Sequence, residues 1–299
     1  MSLLFRFAVV TDEISDDLAR AAAVARELGF DHVELNTLWS KNVVELSADE
    51  VDSARQVLAD HGLSVAVLGT PCFKTVELDE AEPHQLGGFV PFRTQLEIVR
   101  RAIALAHEFA CPFVRVFSFR KTGMVGLGNP SPRLPMGGEI PADELDKIAE
   151  SLRWAGDLAM NSSVTLVVEN VRSCWGNTGV NVARIVEATG HPRVRTLWDP
   201  GNDFVAGGTG LKGYHAARSR LVHVHVKDAR VVEPGIGLTS WESPGDGEVE
   251  VAAHLRALVD DRYAGLVSLE THWRGDGLGA EASTRAAWAA LRAIETQLA

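Results

Sequence analysis

The chain has 299 residues, 46% of them hydrophobic and 23% charged, so it is long enough for a sizeable core and too apolar to be disordered. Its formal net charge of −11 argues against a dedicated binder of nucleic acid or acidic membranes, and no apolar run is long enough to span a bilayer. Cys72, Cys111 and Cys174 lie far apart without metal spacing, which fits a reducing, cytoplasmic setting better than a disulfide framework.

Short apolar runs alternate with amphipathic segments from one end to the other. The opening residues lead into a first strand at Phe7–Val10, followed by a helix over Asp16–Leu28 that stops at Gly29. His32–Leu35 is the second run, and its helix spans Ala48–Asp60. Leu63–Leu68 is the third; a loop with Pro71, Pro83 and Gly87-Gly88 leads to a helix over Val90–Phe109. The fourth run, Phe113–Phe119, precedes a Gly/Pro-rich loop at Gly123–Pro141 and a helix over Asp143–Met160. Val164–Val168 then pairs with a helix around Val182–Ala188. Val194–Trp198 is followed by a glycine-rich loop and a short helix near Lys212–Arg218. Leu221–Val226 is followed by a loop to Gly247 and a helix near Val249–Val259. Leu266–Leu269 precedes a last helix over Glu281–Leu298.

Eight strand and helix pairs with no dividing linker predict a single (β/α)₈ barrel domain over 1–299. A doubly wound sheet is the rival. It calls for a glycine-rich turn after the first strand, where this chain has Thr11-Asp12-Glu13-Ile14-Ser15.

In such a barrel the carboxyl ends of the strands build the active site. Strand five ends in Glu169-Asn170, strand six in Trp198-Asp199, and strand eight in Ser268-Leu269-Glu270. Strand seven carries His223, His225 and Lys227 on one face, since side chains repeat every second residue. An unpaired carboxylate after an apolar run carries a desolvation cost, and a divalent cation would offset it. Glu169, Asp199, His225 and Glu270 form an O₃N set suited to one Mn²⁺, Mg²⁺, Co²⁺ or Zn²⁺ ion. His223 reads either as a packed barrel histidine or as a residue supporting the metal site or the substrate. Lys227 reaches a substrate oxygen or snorkels. Trp39, Trp175, Trp198, Trp241 and Trp273 fall at the same face, where indole can pack on a polyol or simply fill the rim. Arg120, Lys121, Arg172 and Arg274 on the loops suit an anionic substrate or are simply solvated.

Several short stretches, in order, resemble the sugar-phosphate isomerase/epimerase-like superfamily, the xylose-isomerase-like TIM barrels. They are Val-Glu-Leu at 33–35, Glu169-Asn170, Trp-Asp-Pro-Gly-Asn at 198–202, His-Val-His-Val-Lys-Asp at 223–228, Gly-Asp-Gly-Glu-Val at 245–249 and Ser-Leu-Glu at 268–270. The resemblance implies that Glu169, Asp199, His225 and Glu270 hold one divalent metal. It places Glu34 near the substrate, and Asn202 where the epimerases carry a substrate-contacting histidine. Arg230 lies near the arginine of the epimerase strand-seven loop. Endonuclease IV, a member of the same superfamily, needs further histidines that Leu68-Gly69-Thr70 and Phe117-Ser118-Phe119 do not supply. The expectation is an isomerase or epimerase of a small carbohydrate. Glu169 and Glu270 would act as paired bases through a metal-stabilised enediolate. An inosose- or dehydroshikimate-type dehydratase at the same site is the alternative, and a non-catalytic sugar-binding barrel is a further one. A homo-oligomer is expected from the superfamily.

Overall fold

Eight runs rich in Val, Leu and Phe pair side by side and close on themselves. The computed structural model describes residues 3–78, 83–121, 138–233 and 238–298. The barrel strands are β1 (Arg6–Val10), β2 (His32–Leu35), β3 (Ser64–Gly69), β4 (Phe113–Val116), β5 (Thr165–Glu169), β6 (Val194–Trp198), β7 (Leu221–Val226) and β8 (Leu266–Leu269). All neighbours are parallel, and the order is sequential around a closed barrel. Closure joins the two ends of the chain: Arg6 lies opposite Leu266 and Val9 opposite Leu269. Closure leaves the barrel itself without an open edge, which removes the unpaired backbone groups that an open sheet exposes.

The helices are α1 (Leu18–Glu27), α2 (Ala48–Asp60), α3 (Val90–Glu108), α4 (Ala142–Leu158), α5 (Gly179–Thr189), α6 (Pro200–Val205), α7 (Lys212–Ala217), α8 (Val251–Asp260) and α9 (Ala280–Thr296). Local chemistry sets their starts. The Asp17 carboxylate accepts from Arg20 N, and Ser47 with Glu50 forms a reciprocal capping box. Asp199 caps α6, with Pro200 in the first turn where no amide hydrogen is needed. Apolar helix faces pack on the outer barrel wall through residues such as Leu18, Val51, Leu152, Ile185, Leu255 and Leu291. A separate apolar layer of Ala8, Ala66, Val67, Val167 and Leu197 is also fully enclosed. Val167 and Leu197 stand two residues before Glu169 and Asp199, so each of those acids continues the side of the strand that the apolar layer occupies.

Several elements depart from the sequence expectation. The fourth strand stops at Val116, and Phe119 turns the chain at φ +64. The glycine-rich stretch after β6 begins with α6, because the Asp199 cap and Pro200 nucleate a short turn. The stretch after β7 is an antiparallel hairpin, Asp228–Glu233 against Leu238–Glu242. The Asp228 carboxylate fastens its base by accepting from Ala229, Gly245, Gly247 and Val249 N–H groups. A Cβ on Gly247 would lie 2.2 Å from Asp228 Oδ1, so that approach requires glycine. Pro83–Gly88 forms a 3₁₀ turn. Most of the expected 123–141 loop lies outside the described residues. Among the described residues, no helix is long and apolar enough to cross a membrane.

Candidate metal centre

Glu169, Asp199, His225 and Glu270 arrive from β5, β6, β7 and β8 and are all buried. One donor atom from each lies within 4.8 Å of the others. His225 Nδ1 is 3.3 Å from Glu270, 3.5 Å from Glu169 and 3.9 Å from Asp199. Strand register is locked where two of the acids emerge. The Asn170 amide donates to Asp199 O at 2.8 Å and accepts from Asp199 N at 2.8 Å, extending the β5–β6 ladder by one side chain.

His225 is aimed from behind. Its Nε2 donates to Glu34 Oε2 at 2.9 Å, which turns Nδ1 toward the three carboxylates. Nδ1 has no hydrogen-bond partner of its own although it is buried. Burial disfavours the imidazolium, but Glu34 and Glu270 outweigh it and hold the His225 pKa well above its ordinary value. A divalent ion would take the place of that proton on Nδ1.

Two cations share the cluster. The Arg115 guanidinium is 3.3 Å from Glu169 and 3.5 Å from Glu270, and it donates to Asn36 Oδ1 at 3.2 Å. Lys227 Nζ is 2.9 Å from Asp199 and also contacts Glu270. Burial raises every one of these carboxyl pKa values. Arg115 offsets it at Glu169, and Lys227 with His272 and His225 offsets it at Glu270. Glu169 therefore falls below, and Glu270 well below, the usual range. At Asp199 burial prevails and the pKa is raised. Donor type and donor spacing both fit a divalent metal.

The remaining expected residues occupy different surroundings. Asn202 is buried and donates to Glu169 Oε1 at 2.9 Å. Gly201 beside it lets α6 approach Lys227, since a Cβ there would meet Lys227 Cγ at 2.5 Å. Glu34 is fully buried behind His225. His223 is fully buried as well, 2.9 Å from Ser268 Oγ, 3.5 Å from Glu34 Oε2 and edge-on to His225. Trp175 sits in the hydrophobic core with Lys121 over its ring, and Trp198 is buried. Trp39 and Trp273 are half-buried and pack on the core edge. Arg230 is exposed on the hairpin, where it engages Asp246 O and lies 4.0 Å from Glu242.

Sequence reasoning missed Arg115, Glu13 and His272. Arg115 has a readable signal, a charge in mid-strand that shares its face with Phe113 and Phe117. The buried Glu13 carboxylate contacts His272 Nδ1 at 2.6 Å and Arg274 Nη1 at 2.9 Å. Only barrel closure brings those residues together.

A family model described as xylose isomerase-like TIM barrel matches residues 22–294. Among curated proteins, inosose dehydratase of Clostridium perfringens is 24% identical over 140 residues, 43% of this chain and 47% of that protein. The chain thus spans about half the length of the curated relatives it matches. Among solved structures, the IOLI protein with a binding zinc atom is 17% identical, with 99% of each chain covered and a TM-score of 0.77. D-allulose 3-epimerase from Methylomonas sp., in complex with D-allulose, is 16% identical, with 98% of this chain and 96% of that one covered and a TM-score of 0.68. At these identities the structural likeness shows the shared barrel.

Proposed function

The chain belongs to the xylose isomerase-like TIM barrel family, and from that premise we propose a divalent-metal-dependent isomerase or epimerase. Its substrate would be a small sugar, keto-sugar or polyol-derived ketone. The observation that carries this reading is the convergence of Glu169, Asp199, His225 and Glu270, with His225 Nδ1 buried and aimed at the three acids. Mg²⁺, Mn²⁺, Co²⁺ and Zn²⁺ all suit that donor set. When bound, such an ion supplies the positive charge that stabilises an enediolate of the substrate.

The chain's own residues account for the proton movements. Glu270 and Glu169 come from separate strands, β8 and β5, with Arg115 between them. Each carboxylate has a second oxygen with which to take a proton α to the carbonyl, and the other returns it to the opposite face or the neighbouring carbon. Asn202 fixes Glu169, Arg115 keeps Glu169 ionised by charge, and Lys227 with His272 and His225 keeps Glu270 ionised. Lys227, at the Asp199 and Glu270 side, supplies an ammonium for a substrate oxygen.

A second reading, dehydration of a keto-polyol, is favoured by the match to inosose dehydratase. It begins with the same α-proton removal and continues with loss of a β-hydroxyl. Proton NMR in D₂O with Mg²⁺ or Zn²⁺, against ketoses, inososes and hydroxypyruvate, tests the shared step. Deuterium is expected at an α-carbon of at least one substrate. Binding without exchange would instead identify a sugar-binding barrel.

A further inference from the structure

The turn after β3 reads Pro71-Cys72-Phe73-Lys74-Thr75, and hydrogen bonds pin it beside β4. Phe117 N–H donates to Cys72 O at 3.0 Å, Thr70 Oγ1 donates to Arg115 O at 2.6 Å, and Phe73 N–H donates to Gln95 Oε1 at 2.8 Å. Phe73 is buried at φ +69, a left-handed conformation that a bulky residue keeps only where its surroundings enforce it. Its ring packs on Phe119 at 4.6 Å and anchors the turn.

The next residue, Lys74, lays its Nζ 4.7 Å from the centre of the Phe117 ring. Phe117 continues the inward face of β4 that carries Arg115, whose guanidinium lies 5.2 Å from the same ring. The two cations differ in what else they meet. Arg115 is buried against Glu169 and Glu270. Lys74 is half-buried, and among the described residues no carboxylate pairs with its ammonium. Burial pushes the Cys174 thiol up to about 12, with Lys74 opposing the rise and Glu169 adding to it, so both charges lie within reach of one sulfur. A lysine that merely covers apolar surface turns its head to solvent. Lys74 keeps its head over an inward-facing ring, in a turn held by three hydrogen bonds and a strained backbone position.

We propose that Lys74 binds a carboxylate at one end of the substrate while the carbonyl end sits at Glu169 and Glu270, so that the substrate is a keto-sugar acid. The place of the carbonyl end rests on the enolisation reading above. Arg115 is taken up by two acids, and Arg120 lies 3.1 Å from Glu77. The single remaining ammonium matches the one charge of a carboxylate better than a phosphate dianion. A contact remote from the reacting carbons is made in the ground state and the transition state alike, so Lys74 selects the substrate through KM.

The test compares a ketohexose, its 6-phosphate and the keto-acid with a carboxylate at C6, each with the Mg²⁺-loaded protein. Calorimetry reads affinity, and NMR in D₂O reads α-deuteration. The keto-acid should bind about 10–100-fold more tightly than the neutral ketose, and more tightly than the phosphate. Lys74→Met keeps the aliphatic stem on Phe117 and should reduce that preference to about threefold or less, with the loss falling on KM rather than kcat. Lys74→Arg should keep the preference, and Lys74→Glu should reverse it. In wild type, raising the salt from about 0.05 to about 0.5 M should shrink it, a readout that needs no variant. Equal affinity of wild type for acid and ketose, tighter binding of the phosphate, or a preference that survives in Lys74→Met would overturn the proposal. Deuteration of the ketose with no preference for the acid would remove the role of Lys74 and leave the enolisation reading standing. Lys74-dependent binding of the acid without deuteration of any of the three would sink the enolisation reading and leave the carboxylate site.

Discussion

Strands β5–β8 each deliver one donor to a common point, Glu169, Asp199, His225 and Glu270, whereas β2 and β4 deliver charged groups that hold those donors. Arg115 from β4 lies against Glu169 and Glu270, and Glu34 from β2 lies behind His225. Glu13, just after β1, holds His272. A buried charge is stable only while its partner stays, so one side of the wall makes the site and the other makes it tolerable.

Replacing a donor and replacing a supporter should therefore fail differently. Glu270→Gln keeps the size and one oxygen ligand but removes a base, so kcat should fall by about 10²–10⁴-fold. Metal affinity, read by equilibrium dialysis, should fall much less because three ligands remain. Arg115→Met should instead act on stability. It removes the main cation from buried Glu169, a change worth about 3–5 kcal/mol in chemical denaturation, and added divalent metal should recover part of the loss.

Two histidines sharpen the contrast. Carboxylates hold the His225 pKa up, whereas burial without an acidic partner pushes His254, beside Trp198, down to about 4. The unfolded chain protonates His254 near the ordinary histidine value of about 6.5, so the folded state binds fewer protons between the two values. Stability from this group is complete above about pH 6.5 and is lost as pH falls to about 4, by up to about 3 kcal/mol. Denaturation midpoints across that window should show the loss in wild type, and His254→Phe should lack that component. The smallest effect is expected at Glu34→Gln, which keeps a hydrogen bond to His225 but removes its charge. Metal affinity should drop about 10–100-fold with the fold intact.

The barrel was legible because its apolar runs and amphipathic segments keep their two periods through eight repeats. The donors were legible because each is a polar residue ending an apolar run. Arg115 escaped notice because it sits between Val114 and Val116, where a charge reads as a snorkelling side chain. Glu13 and His272 are 259 residues apart, and no local pattern announces their pairing. The strand pair Asp228–Glu233 and Leu238–Glu242 falls where the sequence predicts a loop, since its ordering comes from four amides converging on Asp228 rather than from an apolar alternation. Arg230, expected at the substrate, rides on that hairpin and is engaged with Asp246 and Glu242.

The central claim is that the four donors hold one divalent ion. The most direct measurement is anomalous diffraction from a crystal grown with Mn²⁺. A single peak is expected within about 2.0–2.3 Å of Glu169, Asp199, His225 Nδ1 and Glu270, the range for oxygen and nitrogen ligands. No peak among these four side chains, with Lys227 still paired to Asp199 and Glu270, would contradict it.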